Sequence, residues 1–405
     1  MKVYFISLGC PKNLTDTEVL MGQFVNQGDQ ITTNPKQADI IVINTCAFIK
    51  SARDEAYAVI KEMKQYKKKI YLAGCLPKWV EGNNGKSTVE NREQIVGIDG
   101  YIDSIGVFDC NEPRIKATPP WYAYVKISEG CNNCCSYCLI PSIRGKLKTR
   151  PVNDVVYEVK QLAKRGVKEV IFIAQDTTAH PKLVEILRKS AKIKGIRWLR
   201  IMYSHPKHIN DKLLDLMAKE RKIVKYLDLP IQHYCDKILC RMNRPERTGQ
   251  GLENLILKIR RKIPKIAIRT SVIVGFPGET KTDFRKLYDF LNRVKLDHVG
   301  VFTYFKEKGT LAAKLSQQVP EKTKKQRLVA LMQLCRRISK EKNKSMTGKI
   351  LEAIIEGKDR ARSYRDAPEI DSKVFINGQK HLSPGEIVKI RITKGGNYDL
   401  YGDIL

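Results

Sequence analysis

The sequence has no apolar run approaching the roughly 18 residues that a membrane-spanning helix needs, and its opening, MKVYFISLGC, is too short and too soon ended for a secretory core segment. These two absences predict a cytoplasmic protein that engages no membrane. Acidic side chains are also scarce: 43 Asp and Glu stand against 74 Lys and Arg, a net charge of +31 over 405 residues. A surplus of that size suggests contact with nucleic acid or an RNA-rich particle, although charge alone says nothing about fold. Cysteine is not scarce, but in a reducing compartment eleven of them argue against a disulfide framework and for metal or redox chemistry. A hydrophobic content of 42% suffices for proper cores, and the length suits two or three domains.

The charge is unevenly spread. Residues 1–110 carry 13 basic and 13 acidic side chains and residues 341–405 carry 12 and 10, which leaves 49 against 20 for residues 111–340. The middle of the chain therefore holds nearly all of the excess. Single runs such as KLKTR at 146–150 and RRK at 260–262 read as solvated helix faces.

Four cysteines crowd into EGCNNCCSYC at 129–138: Cys131, Cys134, Cys135 and Cys138. They form two CxxC pairs, but structural zinc sites separate their pairs by roughly 12–20 residues, and here no linker remains to fold around a tetrahedral ion. An iron–sulfur cluster held by a short cysteine run fits better. Cys131, Cys135 and Cys138 make CxxxCxxC, whereas taking Cys134 instead of Cys135 makes CxxCxxxC. Either set offers three thiolates to four irons and leaves one iron with an open position.

The amino-terminal segment alternates strand-like and helix-like runs, the pattern of a parallel α/β layer. Three of its strands end on cysteine: VYFISLGC at Cys10, DIIVINTC at Cys46 and KIYLAGC at Cys75. Parallel sheets gather their ligands at the carboxyl ends of strands, so these three converge, and a second cluster with three protein ligands is the expectation. One such cysteine alone reads as core; three at equivalent positions do not.

From residue 122 six further strand–helix units follow, with apolar runs YAYVKI, VKEVIFIA, RWLRIMY, VKYLDLPI, AIRTSVIV and HVGVFTYF. Their number suits a partial (β/α)6 TIM-type barrel, with the cysteine loop after the first strand, at the end where barrels do chemistry. Later strand ends carry Gln175 and Asp176, Ser204 and His205, Gln232 and His233, then GFPGET at 275–280. Gly275, Pro277 and Gly278 permit close backbone approach to a ligand or form a plain turn, and His205 and His233 read as satisfied structural histidines. Residues 320–346 form a long basic helix with an apolar stripe of Leu328, Leu331, Met332 and Cys335, and the last stretch reads as a small β-barrel. The fold class is α/β throughout the first two parts.

The segments SLGCPKN, NTCAF, AGCL, SEGCNNCCSYC, IVGFPGET, DAPEID and YDLYG together resemble the RimO-type methylthiotransferases of the radical S-adenosylmethionine (SAM) enzymes, over essentially the whole chain. The resemblance implies a methylthiotransferase amino-terminal domain at 1–113, a radical SAM core at 117–340 and a carboxyl-terminal TRAM domain at 341–405. It implies two 4Fe-4S clusters, one on Cys10, Cys46 and Cys75 and one on Cys131, Cys135 and Cys138, with SAM beside Gln175, Asp176, Ser204, Gln232, Gly275 and Glu279. No catalytic residue is expected beyond the cluster ligands. The implied reaction uses one SAM to methylate a sulfur on the first cluster and a second to make a radical that takes hydrogen from an aspartate β-carbon in small-subunit ribosomal protein number twelve. Implied partners are that protein or the ribosome, RNA met through the basic barrel, and a reductant such as flavodoxin or ferredoxin.

Relatives of the MiaB type act instead on adenosine in tRNA. Pro11, Lys12 and Asn13 after Cys10 match the ribosomal-protein branch, and a terminal module with a net charge of only +2 is a weak grip for tRNA phosphates. The chain departs from the family in a shorter loop between Thr178 and Pro181. It also departs in Cys134, Cys235 and Cys240, which stand where other residues are usual, and Cys110 matches no ligand. These four and Cys335 receive no catalytic role.

Overall fold

The chain's structure, a computed structural model, describes residues 1–81, 95–246, 248–378 and 382–405. Its first sheet grows from the apolar runs that end on cysteine: β1 (Lys2–Ser7), β3 (Ile40–Thr45) and β4 (Lys69–Gly74), flanked by short edge strands β2 (Gln30–Thr32) and β5 (Gly100–Tyr101). The order is β2-β1-β3-β4-β5 and every pairing is parallel. IIVINT, the central β3, is buried at all six positions, as expected for a strand covered on both faces. One face is covered by α1 (Pro11–Asn26) through Leu20 and Phe24. The other is covered by α2 (Lys50–Lys64) through Ala56, Ile60 and Met63, and α3 (Cys75–Glu81) follows β4. The edge strands, two or three residues long and only partly buried, had no readable pattern.

Six parallel strands follow: β6 (Tyr122–Lys126), then β9 (Glu169–Ile173), β10 (Trp198–Ile201), β11 (Tyr226–Asp228), β12 (Ala267–Val274) and β13 (His298–Thr303). Between β6 and β9 lie the small ladder β7 (Ser128–Glu129) with β8 (Lys148–Thr149), α4 (Ile140–Arg144) and α5 (Val152–Lys164). The others are separated by α6 (Leu183–Ala191), α7 (Asp211–Lys219), α8 (Asp236–Arg241), α9 (Gly249–Lys262) and α10 (Lys281–Val294). Strands β6, β9 and β10 form one ladder and β11, β12 and β13 another, joined by a parallel bridge between Leu199 and Ile223. The result is an open barrel of six strands with helices outside, packed through one apolar cluster.

Helix α11 (Glu321–Lys344) buries Leu331, Leu334, Cys335 and Ile338. This corrects the expected stripe. Met332 is 42% exposed, because it stands about 100° round the helix from Leu331, while Leu328 is only partly buried.

The last five strands, β14 (Ile350–Ile355), β15 (Arg360–Ser363), β16 (Val374–Ile376), β17 (Ile387–Gly395) and β18 (Leu400–Ile404), close into a small barrel. It packs into the open core: Ile354 and Ala367 join Tyr122, Tyr124, Ile171 and Trp198 in one cluster. Glu169 fixes this docking. Fully buried, it accepts from Arg200 Nε at 2.7 Å and from Arg362 Nη2 at 2.5 Å. Glu352 accepts from Trp198 Nε1 at 2.8 Å, and Asp371 accepts from Tyr226 OH at 2.6 Å. These contacts cluster at the strand starts, so the small barrel seals the end of the core away from the cysteine loop.

Glu169→Ala removes the carboxylate that Arg200 and Arg362 share: Arg362 keeps Glu356, but the buried Arg200 is left with no carboxylate, which costs about 3–5 kcal/mol. Glu352→Ala removes one hydrogen bond worth about 1 kcal/mol. Chemical denaturation should therefore separate the two variants clearly, and equal losses would contradict the role given to Glu169.

Candidate functional site

The three strand ends of the first sheet and the cysteine loop of the barrel open on one cavity of about 370 Å³. Its wall includes Cys10, Cys46 and Cys75 from the first sheet, and Cys131, Cys135 and Cys138 from the loop after β7. Each triad arrives by a local device. Cys10 precedes α1 at its amino end, Cys46 follows β3, and Cys75 opens α3. Gly9 (φ +89°) makes the convergence possible: a Cβ there would lie 2.7 Å from Cys46 Cβ, so only glycine lets the two cysteines close up.

Cys134 lies apart. It is exposed, its Sγ points to Asn132 O at 3.7 Å, and it is absent from the cavity wall, whereas its neighbour Cys135 lines it. Cys240 is exposed as well, Cys110 is half-buried, and Cys235 and Cys335 are buried in apolar clusters.

Burial pushes the Cys138 thiol up to about 12 and the Cys46 thiol up to about 11, the latter with help from Cys75 and Cys10 nearby. Cys75 and Cys131 are raised for the same first reason. Cys10 differs. Burial raises it, but the charges of Lys12 and Arg144 and the N–H groups of Asn13 and Lys12 outweigh this and leave its thiol below the ordinary value. Cys10 is thus the thiol of its triad most ready to ligate, and loading Cys46, Cys75, Cys131 and Cys138 with metal must release protons.

Behind the cysteines runs a buried network that sequence reading missed. Lys126 at the end of β6 bonds Asp16 of α1, and reaches Glu129 Oε2 at 2.7 Å. Arg144 Nη1 lies 3.2 Å from Asp16 Oδ2 and 3.0 Å from Glu129 Oε2. The same guanidinium donates to Cys75 Sγ at 3.3 Å through Nε and to Asn13 Oδ1 through Nη2. Burial alone would raise the Glu129 carboxyl, but Lys126 and Arg144 outweigh it and hold it at about 2. Asp16, fully buried, is pushed up by burial. The available signal was that Glu129 and Arg144 are charged residues bracketing a cysteine loop.

Of the other expected residues, Gln175, Asp176, Ser204 and Gln232 line the cavity. Gln175 Nε2 donates to Glu129, and Asp176 accepts from Asn133 of the cysteine loop and pairs with His208 Nδ1, both at 2.8 Å. Gly275 and Glu279 do not line it. Glu279 Oε2 accepts from Gly275 N and Phe276 N while Oε1 accepts from Arg327 Nη1 at 3.0 Å, so it ties the turn to α11. A Cβ on Gly275 would meet Lys324 Cγ at 2.3 Å, which makes room for α11 and not for a ligand. Thr280 and Asp283 in the same stretch form the capping box of α10. His205 and His233 are buried but only half satisfied: each Nδ1 accepts a backbone N–H, and neither Nε2 has a hydrogen-bond partner among the described residues, although Glu279 Oε2 lies 3.9 Å from that of His233. Tyr203, Arg244 and Tyr137 complete the wall without having been foreseen.

The donor set fits iron–sulfur clusters: two groups of three thiols, soft ligands, face one space whose wall also includes apolar Phe48, Ile140 and Pro230.

The radical SAM superfamily profile matches residues 125–291, that of the uncharacterized protein family UPF0004 matches residues 2–97, and that of the TRAM domain matches residues 347–405. The chain is 38% identical to the ribosomal protein uS12 methylthiotransferase RimO of Acetivibrio thermocellus, an alignment covering 100% of this chain and 98% of that protein. It is 40% identical to the protein of the same description from Pelotomaculum thermopropionicum, covering 100% and 99%. Among solved structures it resembles the radical S-adenosylmethionine methyltransferase TsrM of Kitasatospora setae, with a TM-score of 0.55, 14% identity, and coverage of 74% of this chain and 72% of that one. That likeness is one of fold. No helix among the described residues is long and apolar enough to cross a membrane.

Burial holds His233 neutral, with its pKa pushed down to about 3 from 6.5. As pH falls below 6.5 the unfolded chain takes up a proton that the folded chain refuses, so stability drops by about 1.4 kcal/mol per pH unit on this account. His233→Gln keeps an acceptor for Cys235 N–H, and denaturation of the metal-free protein between pH 6 and 5 should show a slope shallower by about that amount. Equal slopes would contradict it.

Proposed function

The chain belongs to the ribosomal protein uS12 methylthiotransferase RimO family of radical SAM enzymes, and from that membership we propose that it places a methylthio group on the β-carbon of an aspartate in uS12. An iron–sulfur cluster and SAM belong to that chemistry; the finer reading is that there are two clusters. Cys131, Cys135 and Cys138 would hold the one that binds SAM, with Gln175, Asp176, Ser204 and Gln232 around it. Cys10, Cys46 and Cys75 would hold the other. The division of labour runs 1–113 for the first cluster, 117–340 for the radical core and 341–405 for the TRAM domain.

The observation that carries this reading is that both triads face the same cavity. When bound, these groups supply the hydrogen abstraction and the sulfur that side chains cannot, since a β-carbon proton is not acidic enough for any base here. The protein supplies position. Arg144 grips Cys75 while held by Asp16 and Glu129, so the two triads keep a fixed separation. Arg244 Nη1, 3.8 Å from Cys135 Sγ, sets a positive charge beside the second triad. Asn133, pinned by Asp176, shapes the loop between its cysteines. Phe48, Ile140 and Pro230 limit water in the space between.

The basic excess of residues 111–340 serves docking beside ribosomal RNA, and a low-potential protein such as flavodoxin or ferredoxin supplies electrons. The near-neutral terminal barrel, spent on sealing the core, agrees with a protein substrate better than with tRNA.

Two measurements test the ligand sets on anaerobically reconstituted protein. Cys46→Ala should still form 5′-deoxyadenosine but lose methylthio transfer; full transfer would overturn the two-cluster scheme. Cys134→Ser should match wild type in iron content and 5′-deoxyadenosine, while Cys135→Ser loses both. The reverse pattern would assign the CxxCxxxC set.

A further inference from the structure

Resting on the uS12 reading, we propose that Lys12 is the specificity residue of the cavity, the cation that receives the carboxylate of the target aspartyl side chain. Lys12 is the second residue of α1, two positions after Cys10, and is 8% exposed. It lines the cavity, yet among the described residues no carboxylate pairs with it. Its ammonium lies 3.5 Å from the centroid of the Tyr203 ring. Tyr203 sits just past the end of β10 with a φ of 60°, so Lys12 reaches from the first sheet across the cavity to the barrel rim.

The other two cations of the wall are engaged. Arg144 is held by Asp16, Glu129 and Asn13. Arg244 pairs with Glu246 at 3.3 Å and donates to Pro230 O at 2.9 Å. A buried ammonium that faces a ring and the Cys10 thiol but no carboxylate is poised for an anion, because a charge out of water needs a partner, and a lysine offers three donors on one point charge. In an aspartyl side chain the reacting β-carbon is bonded directly to the carboxyl carbon. Seizing the carboxylate therefore brings that carbon into the space between the triads. Asparagine has the same shape without the charge, and an adenine base has no anion at its reacting carbon, so the contact would select aspartate over both.

Lys12 also helps lower the Cys10 thiol, so the test must separate substrate binding from cluster assembly. The full chain, iron-free and iron-loaded, is titrated into two fluorescent uS12 peptides that differ only by aspartate or asparagine at the target position. Anisotropy reads the affinities without turnover, and iron content is measured on each variant. Wild type should bind the aspartyl peptide roughly tenfold more tightly or better, as a charge-assisted hydrogen bond implies. Lys12→Met should bind both peptides alike, at the wild-type asparaginyl affinity, and Lys12→Arg should restore part of the preference. An aspartate preference retained in Lys12→Met would overturn the proposal. Binding of neither peptide by wild type would overturn the uS12 reading and this proposal with it.

Discussion

The cavity depends on one interaction: the buried cluster of Asp16, Lys126, Glu129 and Arg144, two cations and two carboxylates between the first sheet's helix α1 and the barrel's cysteine loop. Each of the four side chains is at most 4% exposed. Removing any one strands a charge out of water, at a cost of several kcal/mol, so the set persists whole or fails whole. Its members come from four places: α1, the end of β6, β7 and α4. Arg144 extends the cluster to Cys75 Sγ and Asn13. Through it, the position of one cysteine triad is fixed against the other.

On the proposed two-cluster reading, that arrangement lets a single cavity carry two jobs. A reacting carbon must meet the source of a radical and the source of a sulfur group in turn, and misplacement by about 1 Å can cost a hundredfold in rate. Salt pairs between surfaces in water would be too weak to hold such a separation. The second buried pairing, Glu169 with Arg200 and Arg362, does the corresponding work at the opposite end, where it locks the terminal barrel into the open core. The core is thus closed at one end by a near-neutral barrel, and the cysteine-lined cavity lies at the other.

Much of this was legible in the sequence, for physical reasons. The three parallel strands ending on cysteine were visible because fully buried strands read as continuous apolar runs, and IIVINT is buried throughout. Barrel strands β6, β9, β10 and β11 followed the same rule, buried at every position, while β12 and β13 are apolar but partly buried, and CxxxCxxC carried its own spacing. The buried charges were not legible: Asp16 sits in a helix that reads as ordinary and amphipathic, and nothing local says that it faces Lys126 from 110 residues away. Glu279 misled because GFPGET looks like a ligand loop, while its glycine makes room for Lys324 and its carboxylate caps backbone N–H groups. Met332 misled because the buried face of α11 is set by Leu331, Leu334, Cys335 and Ile338, and Met332 lies about 100° round the helix from Leu331, outside that face. Lys12 was noticed as a mark of family branch, but its position over Tyr203 is a tertiary fact.

The most direct measurement is mass spectrometry of uS12 and of tRNA nucleosides from cells with and without this chain as their sole methylthiotransferase of this family. The account predicts a methylthio group on an aspartate of uS12 only in cells that carry the chain, with tRNA adenosines identical in both. Methylthio-adenosine that appears with the chain, beside an unmodified uS12, would contradict it.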